Sequence, residues 1–133
     1  MTFTEYDPDA PRQFAASAAR HIAVAKRTFG IGFGYDMASV KKLDDFIDAL
    51  GPPIDLEGLV VVIGSYLGEV FRRIHNGQWV WTPGLSEWAV VFPNGVGIFP
   101  FSRVAKRLTE GRLESVSYFA DFFSREIRSE KPR

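Results

Sequence analysis

A short polar segment in the middle of the chain has the residue types and spacing needed to bind or transfer charge. Glu69 is followed by Arg72 and Arg73, three and four residues later, in the segment GSYLGEVFRR. On a helix, these spacings place the carboxylate beside both guanidinium groups. Such groups bind charged partners, and a carboxylate with a raised pKa can act as a general acid. The simpler alternative is an exposed pair that stabilises the helix by about 0.3–0.5 kcal/mol.

Tryptophans follow this segment closely. After the turn signal Asn76-Gly77, Trp79 and Trp81 alternate along a predicted strand and therefore share one face. They either belong to the core or remain half exposed, with indole N–H groups available to a partner. The candidate binding surface consists of Tyr66, Glu69, Arg72, Arg73, His75, Trp79 and Trp81.

Other motifs lack the context that their chemistry requires. His21 and His75 are the two histidines of the chain, and neither belongs to a metal-binding spacing such as HExxH. Ser65 lacks the flanking glycines of a nucleophile elbow. The glycines at 30, 32 and 34 follow a predicted helix, whereas a phosphate-binding loop follows a strand. We therefore expect no catalytic residue, no metal and no cofactor.

Composition narrows the classes of partner. The chain has 133 residues, no cysteine and a net charge of zero, with 16 basic and 16 acidic residues. The absence of cysteine excludes disulfides and thiolate chemistry. A general nucleic-acid binder would carry a basic excess, so nucleic acid is not the expected partner. Neutrality weakens repulsion between copies, which favours a homo-oligomer.

Targeting signals are not evident in the sequence. The start MTFTEYDPDAP does not resemble a secretory signal, which has a basic and then an apolar stretch. The most apolar run, Leu59 to Leu67, is too short for a membrane span, which needs about 20 residues. We expect a cytoplasmic protein without a membrane partner.

Hydrophobic spacing predicts three helices before the tryptophans. The first runs from Ala10 to Phe29 and ends at Gly30, a residue suited to a helix C-terminus. The second runs from Met37 to Leu50, and the third from Asp55 to Ile74 or His75. The run VVVI makes a strand the competing interpretation for the third segment. The 3.6-residue period favours a helix.

The period changes to two after the third helix. Strands are predicted at Gln78 to Thr82, Glu87 to Phe92 and Val96 to Phe99, and they form an antiparallel meander. Helices then run from about Phe101 to Glu110 and from about Leu113 to Arg128. The order α-α-α-β-β-β-α-α predicts an α+β fold. We expect a single domain of residues 1–133, with loose termini at 1–8 and 129–133.

Three further features concern how these helices pack. Gly64 and Gly68 share one face of the third helix and would let another backbone come close. The acidic residues of the second helix, Asp44, Asp45 and Asp48, are interpreted as a solvated face. In the last helix, Tyr118 and Phe122 lie off the main apolar stripe, which indicates a sandwiched helix or an interface.

These segments resemble a family of small bacterial domains of unknown function. The resemblance lies in GYDMASVKKLD, in GSYLGEVFRR followed by NGQW, and in FPFSRVAKRLTEGRLES. The first motif departs from the family pattern because Gly34 and Asp36 replace an aspartate and a serine. Asp36 keeps the helix-capping role, whereas the loss of the acid at Gly34 argues against a shared catalytic role there. The resemblance implies a fold and leaves the function open.

The leading functional hypothesis is a non-catalytic protein that binds a protein or peptide partner, such as an immunity protein or a regulator. The alternative is an enzyme or small-ligand receptor with Glu69 as the functional acid. It predicts a concave pocket that contains Glu69, with Trp79 or Trp81 on its wall, and a raised Glu69 pKa. Nucleic-acid binding would require five basic residues on one face. These are Arg72, Arg73, Arg103, Lys106 and Arg107.

Overall fold

A computed structural model describes residues 4–129 and shows an α+β fold, with helices on both sides of an antiparallel sheet in sequence order. The predicted fold class is therefore confirmed. The elements are α1 (Ala10–Phe29), α2 (Met37–Val40), α3 (Leu43–Leu50), α4 (Leu56–Ile74), β1 (Gln78–Thr82), β2 (Glu87–Val91), β3 (Gly97–Ile98), α5 (Pro100–Glu110), a 3-10 turn (Arg112–Glu114) and α6 (Val116–Ser129). Within the described residues, no helix is both long and apolar enough to cross a membrane.

Helix α4 lies at the centre of the molecule. Its residues from Ile63 to Phe71 are all buried, and it packs mainly against α1 and α5. The carboxylate of Asp55 begins the helix by accepting a hydrogen bond of 3.0 Å from the amide of Gly58. The apolar run VVVI is therefore helical, because burial against two helices outweighs its β propensity.

Two glycines allow α4 to approach its neighbours closely. A Cβ atom on Gly64 would lie 3.2 Å from Cα of Phe101 in α5. A Cβ atom on Gly68 would overlap the ring of Trp79, at 2.6 Å from its Cζ2, and would lie 3.0 Å from Cγ of Pro100. The close approach predicted for this glycine face is therefore observed, and it seats Trp79 directly on the helix.

The predicted second helix is divided in two. Asp36 caps α2 by accepting a hydrogen bond of 2.7 Å from the amide of Ser39, but the helix ends at Val40. Helix α3 begins at Leu43, after a turn at residues 41–42. Asp44 lies in the first turn of α3 and is buried.

The interpretation of Asp44 as a solvated residue is wrong. Its side chain is buried and forms a 2.8 Å ion pair with Arg107 of α5. It also accepts hydrogen bonds from the amides of Val116 and Ser117, at 3.1 and 2.9 Å, in the first turn of α6. Asp45 and Asp48 are exposed, as predicted. Asp44 thus connects three helices.

The sheet presents its aromatic face to the helices. Trp81 pairs with Trp88 across β1 and β2, and Trp79 pairs with Val90. Phe14 of α1 contacts Trp79 at a ring-centroid distance of 4.6 Å. Strand β2 is one residue shorter than predicted, and strand β3 is two residues shorter. Phe92 and Val96, at the facing ends of the predicted strands, belong to the turn between them.

Part of the predicted loose N-terminal arm contacts this face. The ring of Tyr6 stacks on Trp88 at 6.0 Å, and the carbonyl oxygen of Glu5 accepts a hydrogen bond of 3.2 Å from the Trp88 indole. Residues 1–3 and 130–133 lie outside the described residues. Helix α6 extends to Ser129, one residue beyond its predicted end.

Candidate functional site

The centre of the candidate site is the carboxylate of Glu69, which is 1% exposed near the end of α4. Arg72 binds it with two nitrogens, Nε at 2.6 Å and Nη2 at 2.9 Å. Nε of Arg73 lies 3.4 Å away, and the indole nitrogen of Trp79 donates a hydrogen bond of 2.8 Å. Both oxygens of Glu69 are therefore occupied by donors from α4 and β1.

These donors determine the protonation state of Glu69. Burial favours the neutral acid, but the hydrogen bonds from Arg72 and Trp79 outweigh burial and hold the Glu69 pKa below its ordinary value. The same pair raises the pKa of Arg72. Glu69 is therefore an anion at neutral pH. The enzyme alternative expected the opposite shift of the Glu69 pKa.

A cleft of about 370 Å³ opens beside this ion pair. Glu69 and Arg72 of α4 form one side, Gln78 and Trp79 of β1 another, and Arg12 enters from the first turn of α1. Two guanidinium groups and one carboxylate thus line the cleft, which gives it a net positive charge. Guanidinium groups bind carboxylates and phosphates through paired hydrogen bonds.

Arg73 faces a different neighbour. Its guanidinium lies 3.7 Å from the ring centroid of Tyr35, in the loop before α2. This cation–π contact holds Arg73 against the glycine-rich loop while Nε still reaches Glu69. The two arginines therefore diverge from one carboxylate, and Arg72 is the one that lines the cleft.

Three of the predicted site residues lie apart from this cleft. Tyr66 is fully buried, and its hydroxyl donates a hydrogen bond of 2.6 Å to the carbonyl oxygen of Gly34. His75 packs against Phe71 and Phe92, and burial lowers its pKa. Trp81 contacts Trp88 and the N-terminal arm. The structure brings together Glu69, Arg72, Arg73 and Trp79.

Sequence reasoning did not identify Arg12 and Gln78 as lining residues. Arg12 is distant from Glu69 in the sequence, and an exposed arginine in the first turn of a helix does not belong to a recognisable motif. Successive side chains of β1 point to opposite faces of the sheet, so Gln78 and Trp79 are not expected to share a cleft. Both line it because the end of β1 lies against α4.

Besides the two arginines of α4, two of the five basic residues that nucleic-acid binding would require are held in ion pairs. Arg107 is buried against Asp44 and Asp48, at 2.8 and 2.7 Å. Arg103 forms an ion pair of 2.8 Å with Glu114. Neither guanidinium is presented as an unpaired cation for a phosphate backbone.

Comparison with known proteins gives no match: no protein-family model fits the chain, and no curated protein or solved structure is significantly similar to it. The resemblance to small bacterial domains of unknown function therefore stays a prediction.

Proposed function

We propose that this protein is a non-catalytic binding protein, which holds a carboxylate-bearing segment of a protein or peptide partner in the cleft beside Arg72. The observation that carries the proposal is the fixed guanidinium of Arg72. Its Nε and Nη2 bind buried Glu69, so this ion pair leaves Nη1 and its two protons unused, and Arg72 lines the cleft.

This arrangement favours binding over catalysis. A binding site gains affinity when its donors are already oriented, because less side-chain entropy is lost on association. Glu69 provides that orientation for Arg72, and its own oxygens are already occupied. Arg12 supplies a second cation at the same cleft. An acidic segment would therefore meet two guanidinium groups, with the edge of the Trp79 ring as an apolar contact.

The size of the cleft fits one or two side chains rather than a whole domain, so the remaining contacts of a partner would lie on the surrounding surface. An immunity-like or regulator-like role is one form of this proposal, since such proteins act by occupying an acidic or basic surface of another protein.

The test uses pairs of fluorescent hexapeptides, in which each Asp- and Glu-containing peptide has an Asn- and Gln-containing counterpart. Binding is measured by fluorescence anisotropy and by the indole ¹H–¹⁵N resonance of Trp79, assigned with Trp79→Phe. We expect acidic peptides to shift this resonance, and Arg72→Gln or Arg12→Gln to weaken binding by about tenfold.

Arg27→Gln is the matched control, because Arg27 is an exposed arginine in the last turn of α1, away from the cleft. Equal binding of the acidic and amide peptides, or an unmoved Trp79 resonance, would contradict the proposal.

A further inference from the structure

A second groove lies at the opposite edge of the sheet from the Arg72 cleft. Two adjoining cavities of about 200 and 210 Å³ share Arg103, Phe119 and Phe123 in their walls. Together they extend from Gly97 of β3 to Leu113 of the 3-10 turn, between α5 and α6. We refer to this surface as the α5–α6 groove.

The rim of the α5–α6 groove is unusually apolar for a surface. Leu113 is 98% exposed, Tyr118 is 73% exposed and Phe122 is 40% exposed, and all three line the same cavity. Contiguous exposed apolar side chains of this kind mark binding surfaces. Tyrosine and phenylalanine also supply contact area at a low cost in side-chain entropy.

Cationic groups lie along the α5 side of the groove. Lys106 is exposed and lines the cavity nearest β3. Arg103 lies 5.2 Å from the ring centroid of Phe119 and donates from Nη1 to Glu114 at 2.8 Å. Glu114 also lines the groove, so its lining residues carry two cations and one anion. Lys106 forms no ion pair with the described residues, and an acidic group in the groove would meet it beside the Arg103–Glu114 pair.

The backbone of β3 adds a directional feature. The amide of Phe92 donates a hydrogen bond of 2.9 Å to the carbonyl oxygen of Val96, so Val96 faces β2. Ile98, two residues later, pairs with Val90 and faces β2 as well. Because antiparallel strands alternate, the N–H and C=O groups of Gly97 point away from β2, towards the groove. An extended chain can bond to such an edge.

We propose that the α5–α6 groove binds an extended segment of another protein, which pairs with the edge of β3 at Gly97. Its apolar side chains occupy the aromatic cavity, and an acidic side chain or a C-terminal carboxylate meets Lys106. An extended occupant follows from the strand edge, and an acidic one follows from Lys106 and from the net positive charge of the residues that line the groove. This site is separate from the Arg72 cleft and does not depend on the function proposed for it.

A phage-displayed library of random heptapeptides, selected against the full chain, tests the proposal. We expect enriched peptides to combine aromatic or aliphatic residues with Asp or Glu. Synthetic versions should shift the Gly97 amide resonance, and both Lys106→Glu and Phe122→Ser should weaken them by about tenfold or more. Both side chains are exposed, so these variants retain the core.

Lys26→Glu and Leu85→Ser are the matched controls, since they change an exposed lysine and an exposed leucine elsewhere on the chain. Peptides that bind the Lys106→Glu variant as well as the parent protein would overturn the proposal. So would the absence of enrichment. Self-association that Tyr118→Ser abolishes would also overturn it, because a second copy would then be the occupant. Arg72→Gln should leave this binding unchanged. A negative result for the α5–α6 groove can therefore be distinguished from a negative result for the Arg72 cleft.

Discussion

The indole nitrogen of Trp79 donates a hydrogen bond of 2.8 Å to Oε2 of Glu69, which joins the first strand of the sheet to helix α4. Oε2 also accepts from Nε of Arg72 at 2.6 Å. One carboxylate oxygen therefore fixes both the tryptophan ring and the guanidinium at the cleft. A substitution at any one of these three residues should alter the orientation of the other two side chains.

The first prediction concerns this coupling. Trp79→Phe removes the indole donor, and Glu69→Gln removes the charge that holds Arg72. We expect each change to lower the free energy of unfolding by about 1–3 kcal/mol, because a buried polar group loses a partner. The double variant should cost less than the sum, by about 0.5–2 kcal/mol. Urea denaturation followed by circular dichroism measures all four proteins, and strictly additive losses would contradict the coupling.

The second prediction concerns Gly68. Alanine is the better helix former by about 1 kcal/mol, yet its Cβ would lie 2.6 Å from Cζ2 of Trp79 and 3.0 Å from Cγ of Pro100. We expect Gly68→Ala to destabilise the fold by about 1–3 kcal/mol and to shift the Trp79 indole resonance. Gly84→Ala is the control, because nothing lies within 4 Å of a Cβ there. An unshifted resonance in Gly68→Ala would show that the ring does not rest on this glycine.

The third prediction is a loss of stability in mild acid through His21. The ring packs among Phe33, Phe46 and Tyr66, its Nε2 lacks a partner among the described residues, and burial lowers its pKa from 6.5 to about 4. The unfolded chain therefore binds this proton at a higher pH than the folded chain. The contribution of neutral His21 to the free energy of unfolding is fully present above pH 6.5. It is lost as the pH decreases towards 4, by roughly 3 kcal/mol in total.

Denaturation with urea at a series of pH values measures this loss, and His21→Leu should remove most of it. The carboxylates Glu69 and Asp44 have pKa values below their ordinary range, so their contributions are lost at lower pH. A pH profile that His21→Leu leaves unchanged would assign the effect to another group.

The fourth prediction concerns Asp44, which burial alone would neutralise. Hydrogen bonds from Ser117, Arg107, Val116 and Ser115 outweigh burial and hold its pKa below the ordinary value. Asp44→Asn would leave buried Arg107 without this charged partner, and we expect a loss of about 3–5 kcal/mol. The control is Asp45→Asn, whose exposed pair with Arg112 should contribute little to stability. Similar losses in both variants would refute the structural role of Asp44.

Elements with strong periodicity were predictable from the sequence. Helix α1 has the predicted bounds, and Gly30 closes it in the left-handed conformation with φ 68°. Strand β1 also has its predicted bounds, because its turn signals are strong. These features depend on local interactions, which the sequence carries directly.

Errors arose where long-range contacts decide the structure. The apolar stripe from Val40 to Leu50 continues through the break at residues 41–42, so spacing could not reveal it. Helix α6 was expected to begin near Leu113 but begins at Val116, where the side chain of Ser115 accepts a hydrogen bond of 3.1 Å from the amide of Tyr118. Both errors concealed the place where Asp44 meets α6.

For the candidate site, spacing identified the ion pair but not its surroundings. The contacts of Glu69 with its neighbours on α4 follow from helical geometry. The turn at residues 76–77 brings Trp79 back against α4, where it reaches Glu69. The burial of Glu69 depends on the glycine at 68 and on α1, and these long-range contacts are not evident from residue spacing.

The contacts of Asp44 have a consequence for cooperativity. If α6 and the preceding Ser115 separated from the rest of the chain, the carboxylate of Asp44 would keep the hydrogen bond from Arg107 and lose the other three. Local opening of the C-terminal helix therefore costs these three hydrogen bonds as well as the burial of Val116 and Ala120. In native-state hydrogen exchange, the first amides of α6 should exchange together with those of α4, and the molecule should unfold as one unit.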